Sequence, residues 1–137
     1  MNQYMVTAAL ACLAIATVAC SKKDMTPGEV SRQFLVDLST ADIDAAQSRL
    51  GPALRSRFLE KPALAKSAAA ERKLSVEKCG GYKDITPSFN VTPEQTTVEG
   101  YSLLEYKGGC PSEKQYVRLN KNEGNWLIVE FGPLVKL

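Results

Sequence analysis

The sequence predicts an α+β domain in which N-terminal helices pack on a curved, cone-like, four-stranded antiparallel sheet. Three observations carry that expectation. Between Thr26 and Lys73 apolar residues recur at three- and four-residue spacing, the pattern of one helix face. From Leu74 onward the period falls to two, in short runs rich in β-branched and aromatic residues. The helical patterns all precede the strand patterns, and a run of helices followed by hairpin-linked strands makes α+β rather than α/β.

Thr26-Pro27-Gly28-Glu29 opens the first helix: Thr26 can cap, Pro27 suits the first helical position, and Glu29 completes a capping box. Val30, Phe34 and Leu38 then fall four apart, with Leu35 beside them. Residues Ser39 to Ala41 break this helix, and a second opens at Asp42, with Ile43, Ala46 and Leu50 inward and Gly51 as its stop. Pro52 restarts the chain into a short helical turn carrying Leu54 and Phe58. Lys61-Pro62 interrupts again, and Ala63 to Lys73 is alanine-rich and favours helix.

In the strand half, Ile85, Pro87, Phe89 and Val91 alternate with Thr86, Ser88, Asn90 and Thr92. Pro87 cannot donate to a ladder, so this strand is expected at an edge or bulged. Thr92 to Gln95 turns, and Thr96 to Tyr106 is a second strand. Lys107 to Ser112 turns, Lys114 to Lys121 is a third strand, Asn122-Glu123-Gly124 a hairpin turn, and Asn125 to Phe131 a fourth. The sheet is expected to curl around helix 26–38, burying Val30, Phe34 and Leu38 against Val98 and Leu104 and against Trp126 and Ile128. Phe34, Phe58, Phe89 and Trp126 supply enough volume to fill the cone. No ionisable residue is expected on the apolar faces of helix 26–38 or strand 85–91.

Tyr4 to Cys20 carries no charge, and the first charges are Lys22, Lys23 and Asp24. The run is short and alanine-rich against the ~20 apolar residues of a spanning helix. Its end, Thr17-Val18-Ala19-Cys20, resembles the lipobox of bacterial lipoproteins. That resemblance implies a signal peptide over 1–19, a lipid (palmitate among the acyl chains) on Cys20, a tether over 20–25 and one domain over 26–137. It also implies a lipid-anchored, extracytoplasmic home in the cell envelope, and Ser21 in second place resembles lipoproteins sent to an outer membrane. The alternative is an anchored but uncleaved segment. Ser21 to Thr26 is six residues, at most ~20 Å extended, so the domain would ride close to the membrane. Lys22 and Lys23 either lie against anionic head groups, at up to ~1 kcal/mol each, or merely solubilise the linker.

The net charge of +2 is unevenly spread: Asp24 to Ser48 is acidic, whereas 49–73 carries seven basic residues against Glu60 and Glu71. Little aromatic interleaving accompanies the basic block, so it reads as the solvated face of helices and not as a nucleic-acid surface. The chain has no histidine and no Cys-x-x-Cys, so no zinc site, metal or other cofactor is expected. Of the four cysteines, cleavage discards Cys12 and lipidation consumes Cys20, leaving Cys79 and Cys110 for one disulfide in an oxidising compartment. Paired residues of an antiparallel hairpin have a constant sum. A turn at Pro93-Glu94 gives about 187 and the two cysteines give 189, a difference that one bulge near Pro87 or Gly100 absorbs. The bond closes a loop of 32 residues, for which chain entropy gives roughly 3–4 kcal/mol.

Helix 26–38, Asp42-Ile43-Asp44-Ala45-Ala46, Gly51-Pro52-Ala53-Leu54-Arg55 and Asn122-Glu123-Gly124-Asn125-Trp126-Leu127-Ile128 together carry a second resemblance. Residues 26–131 resemble small bacterial lipoproteins of unknown function with a lumazine-binding-like domain, in the nuclear-transport-factor-two-like and cystatin-like cone. The resemblance implies a curved sheet wrapped around a long helix, often with a pocket; such a fold hosts enzymes, binders and inert modules alike. Without histidine the usual general base near neutral pH is missing. Asp37, Asp42 and Asp44 qualify by residue type only: Asp42 reads as a cap and the other two as exposed. Cys79-Gly80-Gly81 and Gly108-Gly109-Cys110 read as turns beside the disulfide. The aromatics line either a ligand pocket or, more simply, the core. The expectation is therefore a non-catalytic binding or interaction module with no catalytic residue. Its contacts would be the membrane through Cys20 and an envelope protein or wall component, with no nucleic acid. The alternative is a small enzyme or apolar-ligand binder using the cone's pocket.

Overall fold

Thr26 starts the first helix as its spacing predicts. Its Oγ1 accepts from the Glu29 amide at 3.2 Å and the Glu29 carboxylate accepts from the Thr26 amide at 2.8 Å, a complete capping box. The computed structural model describes residues 24–137; Cys20, the signal segment and most of the tether lie outside them. Four helices, Pro27–Ser39 (α1), Ile43–Ser48 (α2), Pro52–Glu60 (α3) and Pro62–Lys78 (α4), precede four strands. The strands are Tyr82–Phe89 (β1), Thr97–Tyr106 (β2), Glu113–Asn122 (β3) and Asn125–Lys136 (β4), all antiparallel, in the order β1-β2-β3-β4. The chain is α+β.

Asp42 caps α2 by accepting from the Ala45 amide at 3.1 Å. Gly51, expected to stop that helix, instead opens α3 in extended conformation. Leu50 forms a short parallel bridge with Ile128 on the outer edge of β4. There the Gly51 amide donates to Ile128 at 2.7 Å and the Ile128 amide donates to Arg49 at 2.8 Å. Helix α4 runs past Lys73 to Lys78, because Val76 is buried in a cluster with Leu35, Ile85, Leu104 and Tyr106. Gly80, at φ 78°, supplies the left-handed stop. Strand β1 accordingly begins at Tyr82, and Val91 falls in the connection after it.

Pro87 does lie on an edge strand. No bulge near Pro87 or Gly100 is needed, since Asp84 to Phe89 pair at a sum of 189, the cysteine sum; the ladder slips only at Lys83, where Asp84 pairs with Glu105 but Tyr82 with Tyr106. Gly100, opposite Phe89, is required by close approach, since a Cβ there would meet the Ser88 carbonyl at 2.3 Å and the Phe89 ring at 2.4 Å. Strand β4 continues beyond Phe131 to Lys136. Pro133 is tolerated because β4 is the other edge. Its ladder slips by one residue twice, with Val129 extra at one and Gly132-Pro133 facing Tyr116 alone at the other, and such bulges bend a strand. Helix α1 reaches both edges of the sheet: a methyl group on Gly28 would touch Pro87 of β1 at 3.2 Å, and the Phe34 ring lies 5.4 Å from that of Phe131 of β4.

The core lies between α1 and the sheet. Val30, Phe34, Ala46, Leu50, Val98, Val117, Leu119, Trp126 and Ile128 form its larger cluster, with Leu38, Phe58, Phe89 and Phe131 partly buried against it. Its polar content departs from expectation. Ser31 and Ser102 are fully buried and share a hydrogen bond of 3.1 Å. Asp37, expected on the exposed side of the first helix, is only 6% exposed. Gln33 donates to its Oδ1 at 2.8 Å, and Arg49 Nε stands 3.9 Å from Oδ2. The segment linking α2 to α3 roofs the last turn of α1, which converts a solvent-facing position into a covered one.

Candidate functional site

Cys79 and Cys110, which the hairpin sum brings together, do meet: their Cα atoms are 5.5 Å apart and their sulfurs stand at disulfide distance, 2.19 Å. Cys79 is the C-cap of α4 and Cys110 lies in the β2–β3 loop. The junction is also laced by backbone. The Gly108 amide donates to Cys79 at 2.8 Å and the Lys107 amide to Gly81 at 3.1 Å. The glycine-rich segments flanking both cysteines are these turns.

One helical step away is a polar cluster that the residue pattern did not reveal. Arg72 precedes Cys79 by seven residues, two turns, and so shares its face of α4. Its guanidinium donates to the hydroxyls of Tyr106 and of Tyr82 (3.1 Å) and to Glu113 Oε1 (3.3 Å), while the Tyr106 hydroxyl donates to the same carboxylate oxygen. The two tyrosine rings stack at 5.4 Å. Burial pushes the Tyr106 hydroxyl well above its ordinary value, and its bond to Glu113 adds to the rise. It therefore holds its proton at neutral pH and is poorly suited to acid–base work. The cluster clamps α4 to the open end of the β1–β2 hairpin. Arg72→Met should lower stability by about 2 kcal/mol, read as a shift in the urea midpoint. That is less than for a fully buried pair, because the Arg72 and Glu113 side chains keep 13% and 14% exposure. An unchanged midpoint would show that the clamp holds nothing.

The aromatics divide between inside and outside. Phe34 and Trp126 are core, and Phe58, Phe89 and Phe131 are half-buried beside them. Tyr101 and Tyr116 pair across β2 and β3 on the outer sheet face, both exposed. The Lys114 ammonium lies 4.0 Å from the centre of the Tyr101 ring. Arg118 bridges Glu99 (3.7 Å) and Glu130 there. A polar cleft of about 450 Å³ opens between Met25, Arg49, Arg55 and the Asn122–Trp126 turn. Arg55 is committed to helix α2, donating to the carbonyls of Gln47, Ser48 and Leu50 at 3.1–3.2 Å. A second, almost wholly apolar groove of about 340 Å³ lies at the α3–α4 corner, lined by Leu54, Phe58, Leu64, Ala65, Ala68 and Phe131.

Asp42 is a cap and Asp44 is exposed; with the buried Asp37 they do not converge on one site. Among the described residues, no group of three or more metal-ligating side chains comes together, and no helix is long and apolar enough to cross a membrane. The signal for the clamp was present in part. Tyr82 and Tyr106 sum to 188, next to the cysteine sum, which places both tyrosines at the same end of the hairpin. Comparison with models of known families, with curated proteins and with solved structures finds no match.

Proposed function

We propose that this chain is a lipid-anchored, extracytoplasmic module of the bacterial envelope, acylated at Cys20. On this reading it acts without catalysis by presenting its outer surface to an envelope protein or wall component. One observation carries the binding part of the reading. The space between helix and sheet is occupied by the protein's own side chains, with Phe34 at 1% exposure, while Tyr101 and Tyr116 stand outside. The cysteine pair at disulfide distance supports an oxidising compartment. The likeness to lumazine-binding-like lipoprotein domains with a cystatin-like cone belongs to the same proposal.

The competing enzyme reading requires a carboxylate beside a tyrosine in an open pocket. Glu113 and Tyr106 do meet, but Arg72 occupies the carboxylate and the tyrosine is spent on it. The anchor is tested by metabolic labelling with a fatty-acid analogue in wild type and in Cys20→Ser. Label is expected in the first alone, and equal label in both ends the proposal. Crosslinking from Tyr101 and Tyr116 in the native envelope should then yield one discrete adduct at each position. No adduct from either face residue would remove the sheet face from the reading.

A further inference from the structure

The α3–α4 corner has a chemistry unlike the rest of the surface. Lys61 joins the two helices at φ −131° and ψ 63°, making an elbow with no side-chain cap. Helix α3 has no buried residue, and Leu59 and Leu64 stand out on either side of the elbow at 61% and 63% exposure. Leu64 lines an apolar groove with Leu54, Phe58, Ala68 and Phe131, with Arg57 and Lys61 at its rim; Leu59 faces the other flank, beside Asp42, Asp44 and Lys66. Residues 52–66 contain Arg55, Arg57, Lys61 and Lys66 against Glu60 alone. Among the described residues no ion pair engages Arg57, Lys61 or Lys66. Apolar side chains ringed by unneutralised cations suit an anionic lipid surface, where the first enter the acyl boundary and the second meet the headgroups.

The start of the described chain supports the same occupant. Met25 and Arg55 line one cleft, and Arg49 Nη1 lies 2.9 Å from the Met25 sulfur. Leu59 is one helical turn beyond Arg55, a step of ~6 Å. Residues 20–24 reach at most ~17 Å when extended. A chain held by Cys20 therefore keeps the elbow within reach of the bilayer that holds it. The outer sheet face carries Asp84, Glu99, Glu105 and Glu130 against Lys114 and Arg118, so it lacks this complementarity.

We infer that the α3–α4 elbow docks on the anionic surface of the anchoring membrane through this groove, inserting Leu64 between Arg57 and Lys61. This rests on the acylation of Cys20 proposed above. The docked elbow sets the orientation of the domain and turns other faces toward partners.

The test uses the full acylated chain, kept oxidised, with an environment-sensitive fluorophore on Leu64→Cys, Ala68→Cys or, as a control, Ser88→Cys. It is reconstituted in vesicles of phosphatidylcholine with or without phosphatidylglycerol, each doped with nitroxide-bearing lipid. Labels at 64 and 68 should be quenched by the bilayer in anionic vesicles and the label at 88 should not. Adding Arg57→Gln and Lys61→Gln should weaken the docked population about 25-fold, about fivefold for each basic residue removed near an anionic surface. Labels at 64 and 68 that stay aqueous on protein floating with the vesicles overturn the docking and leave the anchor standing. Shielding that appears without vesicles and grows with protein concentration overturns it in favour of a second copy of the chain. Protein that carries no acyl group on its Cys20 peptide and does not float overturns the anchor and the docking together.

Discussion

Phe34→Ala is expected to unfold the domain and not merely to inactivate it. The ring is 1% exposed, tilted against Phe131 at 5.4 Å, and sits where α1 crosses the sheet between Val30 and Leu38. Truncating a core aromatic removes its transfer energy and leaves a cavity the neighbours cannot close, at about 3–5 kcal/mol. A domain of this size has a total stability of about 5–15 kcal/mol, so the variant loses a large share of it. The check is the urea midpoint at unchanged slope. A Phe34→Ala protein that keeps its midpoint but loses binding of an apolar ligand would show that the ring lines a pocket.

Loss of the cysteine bridge is the other large effect. Cys79→Ser with Cys110→Ser, or reduction of the native chain, should cost roughly 3–4 kcal/mol, because the denatured chain regains the freedom of a loop closed over 31 positions. Thermal melts with and without reductant should differ for the native chain and coincide for the double variant. Two thiols that alkylate without prior reduction would refute the bond. Its energetic reach is local as well. Cys79 ends α4, and the amide of Gly108 is donated to its carbonyl, so the last turn of that helix and the β2–β3 loop should exchange amide protons faster once it is gone.

What could be read from residue order and what could not divide along a physical line. The Thr26–Glu29 box, the Asp42 cap and the Pro52 helix start are decided within four residues, and each stands where its pattern places it, while Pro62, expected in an interruption, is the first residue of α4. The cysteine pair was legible because an antiparallel hairpin converts sequence distance into spatial distance, although the strands pair at a sum of 189 through Asp84–Phe89, the cysteine sum itself, and not at the 187 of a turn at Pro93-Glu94. Leu74-Ser75-Val76 satisfies a strand period, and only the burial of Val76 against Leu35 and Ile85 makes it helix. Gly132-Pro133 reads as a strand end, yet an edge position and a bulge let β4 continue through it. Asp37 and Arg72 escaped notice for a related reason. A charged residue is read as solvated by its type, and what covers it comes from elsewhere in the chain: Arg49 over Asp37, and Tyr82, Tyr106 and Glu113 around Arg72.

The bridge between Leu50 and Ile128 bears on crowding. Molecules confined to a surface meet at high effective concentration, and an open sheet offers two ribbons of unpaired amides and carbonyls to its neighbours. In this fold the β4 ribbon is occupied at Ile128 by the chain's own Arg49 and Gly51 and is interrupted further along by Pro133. The β1 ribbon carries Pro87, which has no amide to lend, and a kink at Lys83. Neither rim presents a continuous template on which a second copy could extend the sheet, so copies brought close together, as the proposed anchor would bring them, have no ready route to polymerise into fibres.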